Sequence, residues 1–192
     1  MIVLASASPR RQDLLRSAGI VFTVQPADID ETPLANESPR DCAERLAREK
    51  ALAVSQARTH HWVLGADTVV VANGEILGKP RDNEDAARML RLLSGKKHTV
   101  ITGVCLVAPN NCGPIVTTVS ESTLVSMSEV SDDEIQQYVA TGEPMDKAGA
   151  YAIQGIASRW IPRIEGDYSN VVGLPVARVY SMLKSCGVKL AD

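Results

Sequence analysis

The sequence predicts a mixed α/β fold, a partly antiparallel sheet flanked by helices. Three observations carry this. Short runs of β-branched and apolar residues alternate along the chain with segments whose apolar residues recur at helical spacing, the pattern of strands exchanging with amphipathic helices. Asn73-Gly74 stands between two apolar runs, a tight-hairpin signal that demands antiparallel pairing. Two long β-rich runs, 98–107 and 115–127, follow, the second alternating like a half-buried strand. Hairpins among the strands exclude a pure doubly wound sheet.

A chain of 192 residues, 45% hydrophobic and 22% charged, fits one globular domain, 1–192, with room for a small lobe. Its net charge of -3 argues against polymeric nucleic acid or an anionic membrane as partner. It leaves room for a local cationic site that takes a small anion. Cys42, Cys105, Cys112 and Cys186 make no CxxC pair, and the histidines are His60, His61 and His98. Neither a zinc site nor a disulfide framework is indicated, which suits a reducing, cytoplasmic setting. The apolar run at 2–5 is too short for a signal peptide or a membrane span.

Residues 2–5 read as a buried strand. Ser8 is a good helix N-cap, Pro9 suits the first helical position, and Leu14, Leu15 and Ala18 recur at helical spacing up to Gly19. Arg10 and Arg11 in the first turn carry the wrong sign for the positive end of a helix dipole. Two guanidinium groups, serine hydroxyls and free backbone N–H groups would cradle a phosphate; the alternative is a solvated basic turn. Residues 22–25 read as a second strand and 26–39 as an acidic loop, either plain surface or a source of oxygen ligands for a hard cation. Ala43, Leu46, Ala47, Ala51, Val54 and Ala57 share one face of a helix over 39–59. Arg45, Arg48 and Lys50 fall mostly on its surface; Lys50 is the candidate to point inward, which periodicity alone does not show.

The run WVLGADTVV at 62–70 sets Asp67 inside an apolar strand. A carboxylate withdrawn from water needs a partner, and Gly65 with Ala66 clears space for a ligand or another backbone. Asp67 is either a structural cap or the centre of an active site. Beyond the Asn-Gly hairpin, Lys79 emerges beside the strand that carries Asp67. Asp82 with Asp85 caps a helix packed through Ala86, Met89, Leu90 and Leu93 and ended by Gly95. Residues 109–114 form a loop, and Ser131 to Glu134 is a capping box for a helix to Ala140. A glycine-rich loop with Lys147, Tyr151 and Gln154 follows, of the kind that lets backbone approach a ligand. Then come a strand at 160–164, a polar turn at 166–173 and a last helix with Val176, Val179, Tyr180 and Leu183 inward.

No GxxxxGK[ST] or strand-following GxGxxG is present, and no serine has a histidine at triad spacing. Cationic groups and carboxylates without a nucleophile point to metal-assisted attack of water on a phosphoanhydride.

The segments SASPRR at 6–11, LAREKA at 46–51, GADTVV at 65–70, GKPRD at 78–82, GEPMDKAGAYAIQG at 142–155 and VVGLP at 171–175 resemble the Maf family in order along nearly the whole chain. The resemblance implies a nucleoside triphosphate pyrophosphatase, distantly similar in fold to the inosine triphosphate pyrophosphatases. It implies an elongated sheet with a central cleft, a homodimer, and a divalent cation, Mg²⁺ or Mn²⁺, as cofactor. Asp67 matches the catalytic base of that family, and Arg10, Thr68 and Gln154 match positions tied to substrate choice. Ser8, Arg11, Glu31, Lys50, Lys79 and Lys147 match other polar positions of its site. Asp67, as base, metal ligand or both, and Glu31 are the candidate oxygen ligands for the cation. Asp67-Thr68 together with AYAIQG at 150–155 resembles the branch acting on dTTP and UTP; the branch acting on 7-methyl-GTP usually carries Glu where Gln154 stands. A nucleotide-binding regulator of septum formation is the reading outside catalysis.

Overall fold

A computed structural model describes residues 1–110 and 115–188. The expected loop at 109–114 lies mostly outside the described residues. Among the described residues, seven strands form one mixed sheet with helices against it. Strand β1 (Ile2–Leu4) leads through Ser8 into α1 (Pro9–Ser17), whose first turn Ser8 caps by accepting from Arg11 N–H. Strand β2 (Phe22–Val24) and helix α2 (Pro39–Ser55) follow, the helix capped by Ser38, which accepts from Asp41 N–H. Helix α2 stops four residues short of the expected end, so Ala57 falls outside it.

Strand β3 (Trp62–Ala72) turns through Asn73 and Gly74, both at positive φ, into β4 (Glu75–Leu77). The left-handed pair is the two-residue hairpin that Asn-Gly signals. Asp82 caps α3 (Asn83–Leu93), and two eleven-residue strands come next, β5 (Lys97–Val107) and β6 (Val116–Ser126). The capping box at Ser131 and Glu134 opens α4 (Asp132–Ala140) with both of its reciprocal hydrogen bonds formed.

The sheet order is β2-β1-β3-β5-β6 and then β7 (Arg163–Glu165), with β4 paired to β3 off this path. Strand β1 pairs in parallel with both β2 and β3, whereas β3 with β4 and β6 with β7 are antiparallel. Three expectations after α4 need correction. Residues 160–164 are not one strand: a 3₁₀ helix, Ile156–Trp160, precedes β7. The polar stretch 166–173 holds a short helix, α5 (Tyr168–Val172). Asp167 caps its start, accepting from Ser169 N–H and Ser169 O–H at 2.7 Å each. In α6 (Val176–Ser185) Val179, Met182 and Leu183 are buried, but Tyr180 is exposed rather than inward.

The chain divides into two compact units. The first comprises Met1–Asp67, Thr102–Glu121 and Gly173–Asp192, the second Thr68–Ile101 and Ser122–Val172. In the first, Ile2, Leu4, Leu15, Leu64, Val104, Leu106 and Leu183 fill one core, and Val3, Ala47, Ala51, Val63 and Cys105 fill another. In the second, Leu77, Leu90, Leu93, Ile135, Tyr138 and Trp160 belong to a third. Among the described residues no helix is long and apolar enough to cross a membrane.

Candidate active site

In the first unit, α2 approaches the strands backbone to backbone at two points. A Cβ at Gly65 would overlap the carbonyl oxygen of Ala47, and one at Gly103 that of Ala43. The space that Gly65 clears is thus taken by another backbone, that of α2. Lys50 lies three residues beyond Ala47 on this helix and is only 6% exposed. Its Nζ donates to Asp67 Oδ1 at 2.5 Å and stands 2.6 Å from Glu31 Oε1. Asp67 is itself 8% exposed, so the ammonium supplies the partner that a carboxylate inside an apolar strand requires.

The loop that carries Glu31 is tied to the same helix. Arg45 grips Glu37 through two hydrogen bonds, Nε to Oε1 at 2.6 Å and a second guanidinium nitrogen to Oε2 at 2.8 Å, and also donates to Thr32 O at 3.2 Å. These hydrogen bonds pull the Glu37 carboxyl down to about 2, as a bidentate guanidinium should. Arg45, expected on the helix surface, is therefore the residue that clamps the acidic loop. No periodic signal marks it; a long cation eight residues after a loop acid was the available hint.

Arg11 is nearly buried. It donates through Nε to Gly173 O at 2.8 Å and through a terminal nitrogen to Ser6 Oγ at 3.0 Å. Ser6 Oγ also receives Ser8 N–H at 3.3 Å. Burial lowers the guanidinium pKa, the charges of Asp67 and Glu31 act to raise it, and neighbouring Arg10 acts to lower it. Arg11 is thus a fixed charge that braces the turn between β1 and α1. Arg10, half-buried, stands beside it at the start of α1.

The remaining expected residues lie in the second unit. Thr68 continues β3 and is half-buried, and Lys79 is exposed just past β4. Lys147 donates to Glu143 O and to Asp146 Oδ1, both at 2.5 Å. Gly149 N–H donates to Gly78 O at 3.0 Å, which ties the Lys147 segment to the residue before Lys79. Gln154 is exposed in a turn closed by Gly155 N–H on Ala152 O at 3.1 Å. Between them Tyr151 is buried, its O–H 2.7 Å from His98 Nε2 and the two rings meeting edge to face at 5.3 Å. His98 was passed over in the sequence except as a possible zinc ligand.

Among the described residues no cluster of three or more His, Cys, Asp or Glu could cage a metal ion. Asp67 and Glu31 nonetheless converge on a single cationic atom, Lys50 Nζ, at 2.5 and 2.6 Å. Two carboxylates that leave most of the coordination shell to water and phosphate oxygens form the donor set Mg²⁺ takes in nucleotide enzymes. These oxygens have the chemistry of ligands to a divalent cation, and in this structure the Lys50 ammonium is what they hold.

The model of the Maf-like protein family matches residues 1–186. A dTTP/UTP pyrophosphatase of Koribacter versatilis (strain Ellin345) is 57% identical over 188 residues, 97% of this chain and 95% of that one. That of Geobacter sulfurreducens is 53% identical over 186 residues, covering 97% and 96%. Solved structures are more remote. The Ham1 protein of Staphylococcus aureus aligns over 96% of this chain and 98% of its own at 14% identity, with a TM-score of 0.47. A dITP/XTP pyrophosphatase of Mycobacterium abscessus covers 67% and 75% at 15% identity and a TM-score of 0.43. With half its residues shared with relatives over almost their whole length and a family model spanning all but the last six, the chain belongs to the Maf-like protein family.

Proposed function

We propose that this protein hydrolyses nucleoside triphosphates, dTTP and UTP foremost, to the nucleoside monophosphate and pyrophosphate, the whole chain working as one pyrophosphatase domain. The observation that carries the chemistry is the buried Lys50–Asp67 pair joined by the exposed Glu31 carboxylate, with the Arg11 guanidinium near enough to feel both carboxylates. The relatives' names support the substrate.

In this reading Asp67 takes a proton from a water molecule as the water oxygen bonds to the α-phosphorus. The bond from that phosphorus to the oxygen bridging the α- and β-phosphates breaks, and pyrophosphate leaves with the electron pair. Lys50 holds Asp67 and Glu31 together before substrate arrives, and its ammonium then turns to a phosphate oxygen, which frees Asp67 to accept the proton. A divalent cation, Mg²⁺ or Mn²⁺, held by Asp67 and Glu31 would offset phosphate charge and make water more acidic. Arg10, Arg11, Ser8, Lys79 and Lys147 supply positive charge and donors to the phosphates. Thr68 and Gln154 read the base. The Gln154 amide offers a donor and an acceptor, which answers the alternating edge of uracil and thymine.

The family resemblance further supports a homodimer in the cytoplasm and a house-cleaning role linked to arrest of division. Pyrophosphate release by the purified protein from dTTP, UTP, CTP, GTP and 7-methyl-GTP, with and without chelator, tests the reading. No release from any of them sinks it; release from 7-methyl-GTP above all others moves the protein to the other branch.

A further inference from the structure

One residue, through its main chain and its side chain, holds both ends of the segment that carries Lys147 and Gln154. Glu143 opens the 3₁₀ turn Glu143–Asp146, and its backbone carbonyl receives the Lys147 ammonium at 2.5 Å. Its carboxylate reaches the far end, where Ile156 N–H donates to Oε1 at 3.1 Å and to Oε2 at 3.3 Å. Tyr138, buried on α4, donates its O–H to Oε1 at 2.9 Å. Burial, then the hydrogen bond and charge of Glu143, raise the Tyr138 phenol above its ordinary range, which keeps it a donor.

Gly155 is what lets the carboxylate come so close. A Cβ there would overlap the Glu143 carboxylate. Its backbone, at φ -101° and ψ -155°, suits any residue, so the glycine serves space and not conformation. The Gly155 N–H closes the turn in which Gln154 sits. Because Gln154 is exposed, the path of this turn sets its place more than packing around its own side chain does.

We infer that Glu143 is a positioning residue for base selection: without touching substrate, it fixes the turn that presents the Gln154 amide. The inference rests on the proposed reading of Gln154. Its physical basis is that discrimination by hydrogen bonds is strong only where donor and acceptor are held in register with the base. The Lys147 contact uses a main-chain carbonyl, so a change in the Glu143 side chain leaves that contact in place.

The test is kcat and KM for dTTP and for GTP in Glu143→Ala, Glu143→Gln, Gly155→Ala and Gln154→Ala. Glu143→Ala should raise KM for dTTP by about tenfold, the worth of one or two hydrogen bonds, with kcat and the GTP values nearly unchanged. Glu143→Gln should restore most of the preference, since its amide oxygen still accepts Ile156 N–H and its NH₂ group can donate to the Tyr138 oxygen. Gly155→Ala should copy Glu143→Ala by displacing the carboxylate, and it serves if the latter fails to fold. An equal fall for dTTP and GTP in Glu143→Ala, or an unchanged preference in both it and Gly155→Ala while Gln154→Ala loses it, overturns the inference and leaves the reading of Gln154 standing. An unchanged preference in Gln154→Ala overturns that reading, and this inference with it.

Discussion

Replacing Lys50 with methionine keeps much of the side-chain volume and removes the charge that Asp67 and Glu31 share. Asp67 is 8% exposed, so it cannot turn to water for compensation. Breaking a buried pair from one side costs about 3–5 kcal/mol. Glu31 contributes less: its side chain is 43% exposed, and such a partner is worth under about 1 kcal/mol after solvent screening. We take the low end, about 3 kcal/mol, because Asp67 sits at the edge of full burial. For a chain of this length each kcal/mol moves Tm by about 2–4 °C, giving a fall of about 6–12 °C. Melting followed by far-UV circular dichroism in the presence of chelator measures it. A second arm adds Mn²⁺ in place of chelator. The ion should raise Tm more in Lys50→Met than in wild type, where it competes with the ammonium for the same two carboxylates; a hundredfold excess over Kd contributes about 2.7 kcal/mol. A variant that melts within about 2 °C of wild type under chelator, well inside the expected shift, would show that Asp67 does not depend on Lys50. Equal Mn²⁺ shifts in both proteins would refute the competition.

Three further outcomes follow from the site. Asp67→Asn should lower kcat by roughly 10²-fold or more, as expected on losing a general base, while dTTP binding measured by calorimetry persists; near wild-type turnover of the folded variant rules out Asp67 as the base. Gln154→Glu turns an amide with donor and acceptor into an acceptor-only carboxylate; kcat/KM should fall for dTTP and UTP and rise relative to them for 7-methyl-GTP, and unchanged ratios would clear Gln154 of base reading. Burial holds the His98 imidazole down to about 4, so the unfolded chain takes up its proton first as pH falls. The contribution is complete above the unfolded value near pH 6.5 and drains as pH drops toward 4. About 1.5 kcal/mol should disappear between pH 6.5 and pH 5, and urea titrations at the two pH values should show this loss in wild type and little of it in His98→Gln.

Local chemistry explains what was legible beforehand. The caps at Ser8, Asp82 and Ser131 and the Asn73-Gly74 hairpin are written in adjacent residues, and each is formed. Lys50 is the candidate to point inward on α2, but its turn toward Asp67 is a tertiary contact that the pattern does not encode. The misses share another cause. Trp160 and Ile161 form an apolar run too short for period to separate strand from 3₁₀ turn. Helix α5 hides in a polar stretch because its start depends on the Asp167 side chain. Helical spacing places Tyr180 beside Val179, but Met182, not Tyr180, completes the buried face with Val179 and Leu183. In the candidate site, the Arg10-Arg11 pair suggested an anion, but nothing in the sequence shows that Arg11 meets the carbonyl of Gly173, 162 residues away. The Arg45 grip on Glu37 was equally hidden, since a helix-to-loop contact has no periodicity.

The two glycines under α2 have a consequence for how such a protein can change over time. A helix resting on bare strand backbone at Ala43 and again at Ala47, one turn apart, has no gap to slide into at those two points. Lys50 inherits its place from that seat together with the packing of Ala47, Ala51 and Val54 on the strands, so main-chain contact and packed side chains both set its distance to Asp67. The outer face of α2, with Asp41, Arg48 and Ala53 exposed, can then drift freely without disturbing the charge group beneath it. A methyl group added at Gly65 or Gly103 would lift the helix and carry the ammonium away with it. Two missing atoms, one on each of two strands, are therefore as much a part of this charge group as the side chains that form it.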